Sequence, residues 1–215
     1  MRVDPAHYVW WLVSRSAGIV ALGLISLSVL IGLTMATRIF QRPGLARKLV
    51  RLHEHVALVA LAATAVHGAS LLGDRWLRIG IRGLIVPFTM AYRPLYTGLG
   101  MVAAYLAAFL GLSFYARRRI GARLWRKLHR ATVLVWVMGV AHTLGAGTDA
   151  STIWLRMTMI AMGAPIVFLL LVRLLGQRGP GAERPRAPAP ASPPHPDLGR
   201  HAPAAVSIVA SPAPD

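Results

Sequence analysis

The sequence has no cysteine, which excludes disulfides, thiolate metal sites, Cys-ligated iron–sulfur clusters and a Cys nucleophile. Acidic residues are scarce as well: 7 Asp and Glu stand against 24 Lys and Arg, a formal net charge of +17 over 215 residues. Charged residues of both signs amount to 14%, where a soluble domain carries roughly 25%, and hydrophobic ones reach 55%. A nucleic-acid binder would be basic but far less apolar, so no nucleic-acid partner is expected. Neither G-x-G-x-x-G nor a Walker A pattern occurs, so nothing reads as a dinucleotide or nucleoside triphosphate site. What is left is the composition of an integral membrane protein.

The basic residues cluster between uncharged runs, and a bilayer crossing needs roughly 20 apolar residues. Four runs meet or approach that length: Ser16–Thr37, Val56–Gly73, Pro94–Ala116 and Ala131–Thr148. A fifth, Met157–Val172, is long enough once 151–156 are added, with Arg156 snorkelling to the headgroups and Pro165 tolerated inside. The expected fold is all-α, a bundle of five transmembrane helices. Fourteen basic residues flank one side of these spans and seven the other. The positive-inside rule then predicts a plasma (inner) membrane protein with its N-terminus outside and its C-terminus in the cytoplasm.

Between spans two and three, Ile79–Met90 is apolar, interrupted by Arg82 and too short to cross. It reads either as an interfacial or re-entrant piece or as an ordinary partly buried loop. From Pro180 onward, 10 of the 15 prolines crowd into 36 residues. That predicts a membrane-embedded unit at 1–178 and a disordered cytoplasmic tail at 179–215, with no room there for a flavin or nucleotide domain.

Eight histidines are present; His7, His195 and His201 read as solvated. The other five fall on spans two and four. His53 and His55 stand at the cytoplasmic start of span two and His67 near its outer end; His129 and His142 take the matching places on span four. On an α-helix His53 and His67 are about 40° apart in azimuth and about 21 Å apart in height, so they share a face at two depths. His55 lies about 120° round from His67, which favours His53. His129 and His142 are about 19.5 Å apart but about 140° out of phase, so that pair needs a bulge or kink, with Gly139 as a place for it.

Two histidines at matched depth on two parallel helices suit a b-type haem held by both axial positions. Pairing by depth gives His53 with His129 and His67 with His142, hence two haems stacked across the membrane. Arg51 and Arg130 inside and Arg93 outside are placed to meet haem propionates, and Trp136, half-way between His129 and His142, to fill the space between two haem edges, opposite the small Ala60. Each of these also has an ordinary reading, as a topology-setting charge or a packing aromatic. No catalytic acid or base is called for.

These residues resemble the ferric reductase-like transmembrane domain shared by ferric reductases, NADPH oxidases and the bacterial haem subunit of the methionine sulfoxide reductase system. The resemblance rests on His53-x13-His67 and His129-x12-His142, on the strings "RLHEHVALVALAATAVHG" and "RRRIGARLWRKLHRATVLVWVMGVAHTLGAGTD", and on "VPFTMAYRPLYTGLG" in the outer loop, and covers about 10–175. It implies two haems b, the inner on His53 and His129 and the outer on His67 and His142. Five spans stand where six is typical, and the flavin and nicotinamide domain of larger members is lacking. A separate flavoprotein reductase or membrane quinol would therefore supply electrons, flavin entering only through a partner, and the acceptor at the outer face would be ferric iron, oxygen or another redox protein. Two rivals follow: a quinone-reactive haem anchor of a larger dehydrogenase, and a haem-free transporter or scaffold whose histidines line a pathway.

Overall fold

The computed structural model describes residues 6–37, 44–74, 77 and 79–176. They form eight α-helices in the order α1 (Ala6–Thr37), α2 (Leu45–Ser70), α3 (Ile81–Ile85), α4 (Pro94–Leu112), α5 (Arg117–Ile120), α6 (Ala122–His129), α7 (Thr132–Ala146) and α8 (Ile153–Gly176). No strand occurs among the described residues. The expected tail, with His195 and His201, and the side chain of His7 lie outside the part that can be described.

The helix limits follow from local chemistry. Gly44 takes the left-handed conformation, φ 81°, at the turn into α2. Pro94 opens α4 at a position whose N–H would be unpaired in any case. Gly121, at φ 88°, separates α5 from α6. Between α6 and α7, Arg130 and Ala131 bond to the carbonyls three residues back rather than four. That tightened turn separates α6 from α7 just at the start of the expected fourth run.

Full-length spans number four among the described residues, one fewer than expected. Four described helices are long and apolar enough to cross a membrane, Tyr8–Thr37, Leu45–Gly73, Pro94–Leu112 and Ile153–Gly176. The expected fourth span is instead α7, 15 residues or about 22 Å, which falls short of a hydrocarbon core of about 30 Å. It starts after the tightened turn and ends where Gly147 adopts extended backbone. Pro165 sits inside α8 without ending it. The outer segment 79–90 contains only the five-residue α3, which is too short to cross.

Helix α1 packs along α2 and also touches α7 and α8, while α4 packs along α7. One buried cluster joins α1 to α8 through Val29, Leu33, Ile166 and Leu169; another joins α4 to α7 through Ala103, Leu110 and Val135. Arg15 on α1 makes a bidentate ion pair with Asp149 in the α7–α8 connection, Nε to Oδ2 at 2.6 Å and a terminal nitrogen to Oδ1 at 2.7 Å. By contrast α2 and α7, which carry His53, His67 and His142, make little direct contact with each other. They face across a gap.

Candidate cofactor site between α2 and α7

On the α2 side the two histidines are held in one repeated way. His67 donates from Nδ1 to the Ser14 carbonyl at 2.7 Å, and His53 donates from Nδ1 to the Ser28 carbonyl at 2.9 Å. Each acceptor already belongs to the α1 ladder, and a ring can reach its second lone pair only by passing the residue one turn on. Those residues are Gly18 and Gly32. A Cβ on Gly18 would stand 2.9 Å from His67 Nδ1, and one on Gly32 3.5 Å from His53 Cε1. Ser14-x3-Gly18 and Ser28-x3-Gly32 are themselves fourteen residues apart, the spacing of the two histidines, so antiparallel α1 and α2 keep one register over both levels. This cradle was missed from the sequence, although a fourteen-residue repeat of Ser and Gly on span one, matching that of His on span two, is a readable signal.

The α7 side repeats the arrangement once. His142 donates from Nδ1 to the Tyr96 carbonyl at 2.9 Å, and Gly100, one turn further along α4, leaves the space: its Cβ would be 2.5 Å from His142 Nδ1. The C-terminal end of α7 is gripped further by α4. Arg93, left-handed at φ 43°, donates to the Gly145 carbonyl, and Tyr96 lies flat where a side chain on Gly145 would collide. The Tyr92 hydroxyl reaches the Ala146 carbonyl at 3.4 Å.

His129 is different. It closes α6, before the tightened turn at Arg130–Ala131, so it does not lie on the helix that carries His142. The turn therefore lies at this junction; Gly139 is inside α7, against Leu22. The His129 ring stacks on Trp125, centroids 4.9 Å apart and planes 23° apart. Its Nδ1 is directed toward the Leu110 carbonyl but makes no hydrogen bond of good geometry among the described residues.

Across the gap the rings meet in two pairs. His53 and His129 have centroids 5.9 Å apart with planes at 85°; His67 and His142 have centroids 6.1 Å apart at 75°. An Nδ1–H donated to a carbonyl leaves Nε2 as the unprotonated nitrogen, the one free to bind a metal. A metal–imidazole bond is about 2 Å, so two rings sharing one ion have centres about 6 Å apart. Among the described residues no group of three or more His, Cys, Asp or Glu gathers to hold a metal unaided. Each site offers two nitrogens and a gap between helices.

The other sequence-predicted residues are placed less directly. His55 is exposed and its Nδ1 bonds back to the Arg51 carbonyl at 2.7 Å, outside the pairs. Arg51 and Arg130 are exposed at the end of the bundle that holds His53 and His129. Arg93 gives one nitrogen to Gly145, so it positions α7. Trp136 donates from Nε1 to Ser26 Oγ at 3.0 Å and rests against Gly163, between α1 and α8, while Ala60 on α2 is buried.

A family model described as ferric reductase like transmembrane component matches residues 17–140, more than half of the chain. The chain belongs to that family. The match takes in His53, His67 and His129 and stops two residues before His142. Membership makes the chain a membrane-embedded redox component of the ferric reductase-like class. No curated protein and no solved structure matches it.

Proposed function

We propose that this ferric reductase-like protein is a di-haem b-type cytochrome that carries electrons across the membrane. The observation that carries the reading is the pair of opposed imidazoles repeated at two levels, each pair at the spacing of two ligands on one ion. Two protein nitrogens are what a porphyrin, supplying four of its own, still requires, and filling both axial positions favours electron transfer over oxygen binding. His53 and His129 would hold the inner haem and His67 and His142 the outer one. When bound, each haem supplies a one-electron ferric/ferrous couple. The chain contributes orientation and basicity: Ser14, Ser28 and Tyr96 fix three of the four rings through Nδ1, and carbonyl acceptance there strengthens each as a ligand. Arg51 and Arg130 are the cations nearest in sequence to the inner ligands and suit a propionate.

In the proposed orientation the N-terminus is outside and the C-terminus cytoplasmic, with 1–178 as the haem unit. A cytoplasmic flavoprotein or membrane quinol gives electrons to the inner level, and ferric iron, oxygen or a partner redox protein takes them at the outer face. An open cleft of about 900 Å³ at the outer ends of α7 and α8, lined by Tyr92, Arg93, Arg156, Val140, Leu144 and Ile160, suits an acceptor at the outer level rather than a donor at the inner one. A quinone analogue that blocks haem reduction would favour quinol; no effect would favour the flavoprotein. The reading as a whole is tested by a dithionite-minus-air difference spectrum of the purified protein with haem extraction. Two haems b per chain are expected, and absence of any b-type band overturns it.

A further inference from the structure

Three of the four histidines share one cradle: a helix carbonyl at position i accepts Nδ1–H, and a glycine at i+4 admits the ring. The positions are Ser14 and Gly18, Ser28 and Gly32, Tyr96 and Gly100. Fourteen residues beyond Tyr96 and Gly100, where the pattern would place the fourth cradle, stand Leu110 and Phe114. There is no glycine, and the His129 Nδ1 lacks a formed bond. In its place a line of three groups in contact leads to the ring. The Arg117 guanidinium lies 3.8 Å above Phe114, Phe114 is 5.8 Å from Trp125, and Trp125 lies on His129 at 4.9 Å.

From this we infer that Trp125 is a positioning residue that holds the His129 imidazole by stacking, facing the Leu110 carbonyl but short of a formed hydrogen bond to it, and thereby makes the inner iron the more oxidising of the two. The inference rests on the di-haem reading. A donated Nδ1–H makes an imidazole more basic and favours the ferric state. Both outer ligands donate such a bond; of the inner two only His53 does. The inner couple should therefore favour the reduced state by at least about tenfold relative to the outer one, about 59 mV for one electron.

The test is a spectroscopic redox titration of the full chain, purified with its haems in lipid nanodiscs. Two components are expected, and His67→Ala, which removes an outer ligand, should leave the component of higher midpoint. Trp125→Leu frees the ring to close on the Leu110 carbonyl and complete that hydrogen bond, so the inner midpoint should fall toward the outer one and the inner ferric EPR signal should change, while the outer component stays. Trp125→Phe should restore both readouts. If Trp125→Leu does not accumulate, Phe114→Gly gives the fourth position the residue of the other three and should lower the inner midpoint likewise. An inner midpoint equal to or below the outer one overturns the inference, as does an inner signal indifferent to both variants. Absence of haem altogether would instead bring down the di-haem reading beneath it.

Discussion

The α1–α2 half of the bundle and the α4–α6–α7 half present the same two imidazoles to the same gap, yet they are built by different means. In the first half, two uninterrupted helices repeat one interaction fourteen residues apart, Ser28 with His53 and Ser14 with His67, because fourteen residues nearly restore helix azimuth. In the second half the histidines are thirteen apart, a spacing that leaves them far out of phase on one helix. The chain meets this by breaking the helix at Arg130–Ala131 and by giving His129 an aromatic support. A repeat gives equal sites without further adjustment; an interruption lets two sites differ.

The strongest way to break the comparison is to remove ligands one at a time. His67→Ala and His142→Ala are each expected to reduce haem content from two per chain to one, measured by pyridine haemochrome against protein. Loss of both haems from either variant would show that the levels are not independent.

Next come the glycines, whose order of effect the structure sets. Gly100→Ala puts a Cβ 2.5 Å from His142 Nδ1, and Gly18→Ala 2.9 Å from His67 Nδ1; both should displace the ring and cost about 1–3 kcal/mol in overpacking, with loss of outer haem. Gly32→Ala meets His53 only at ordinary contact, 3.5 Å, so the inner haem should be retained, with a helix-propensity gain of about 0.5–1 kcal/mol. Thermal unfolding and haem content together check this series, and a Gly32 variant as damaged as the Gly100 one would contradict it.

A smaller effect is expected at the tie between the halves. Arg15 and Asp149 are side chains of 34% and 14% exposure in a bidentate pair. Asp149→Asn should cost about 1 kcal/mol, discounted for solvent screening at the arginine, and lower Tm without altering the haem spectrum. The smallest concerns pH. The exposed Tyr115 hydroxyl donates to Glu54 Oε1 at 2.9 Å, and that bond raises the phenol above its ordinary range. Because the folded value is raised, the contribution is present below pH of about 10 and is lost as pH climbs through the folded value. Ultraviolet titration of the phenolate should move down in Glu54→Gln.

Much of this was legible in sequence because histidine is conspicuous in an apolar run. The all-α membrane fold and the two levels of His53 with His129 and His67 with His142 follow from spacing alone. The cradles were equally present in the text, as Ser14-x3-Gly18 and Ser28-x3-Gly32, but small residues are common in membrane helices and speak only once a partner face is known. That a break was needed between His129 and His142 was legible from their phase difference, but its place was not: Arg130 and Ala131 are ordinary helix formers, and Gly139 offered a more obvious position. Five spans were expected where four helices have full length because the apolar run 131–148 outlasts the 15-residue helix α7 inside it.

The gap between α2 and α7 has a consequence for biogenesis. Those two helices have no packed seam of their own, so an occupant bound through both would act as a keystone, bonding one half of the bundle to the other. Cofactor loading and final assembly would then be a single event. A membrane protease sampling newly made chains would have a ready criterion for which to degrade: those still parted along that slit.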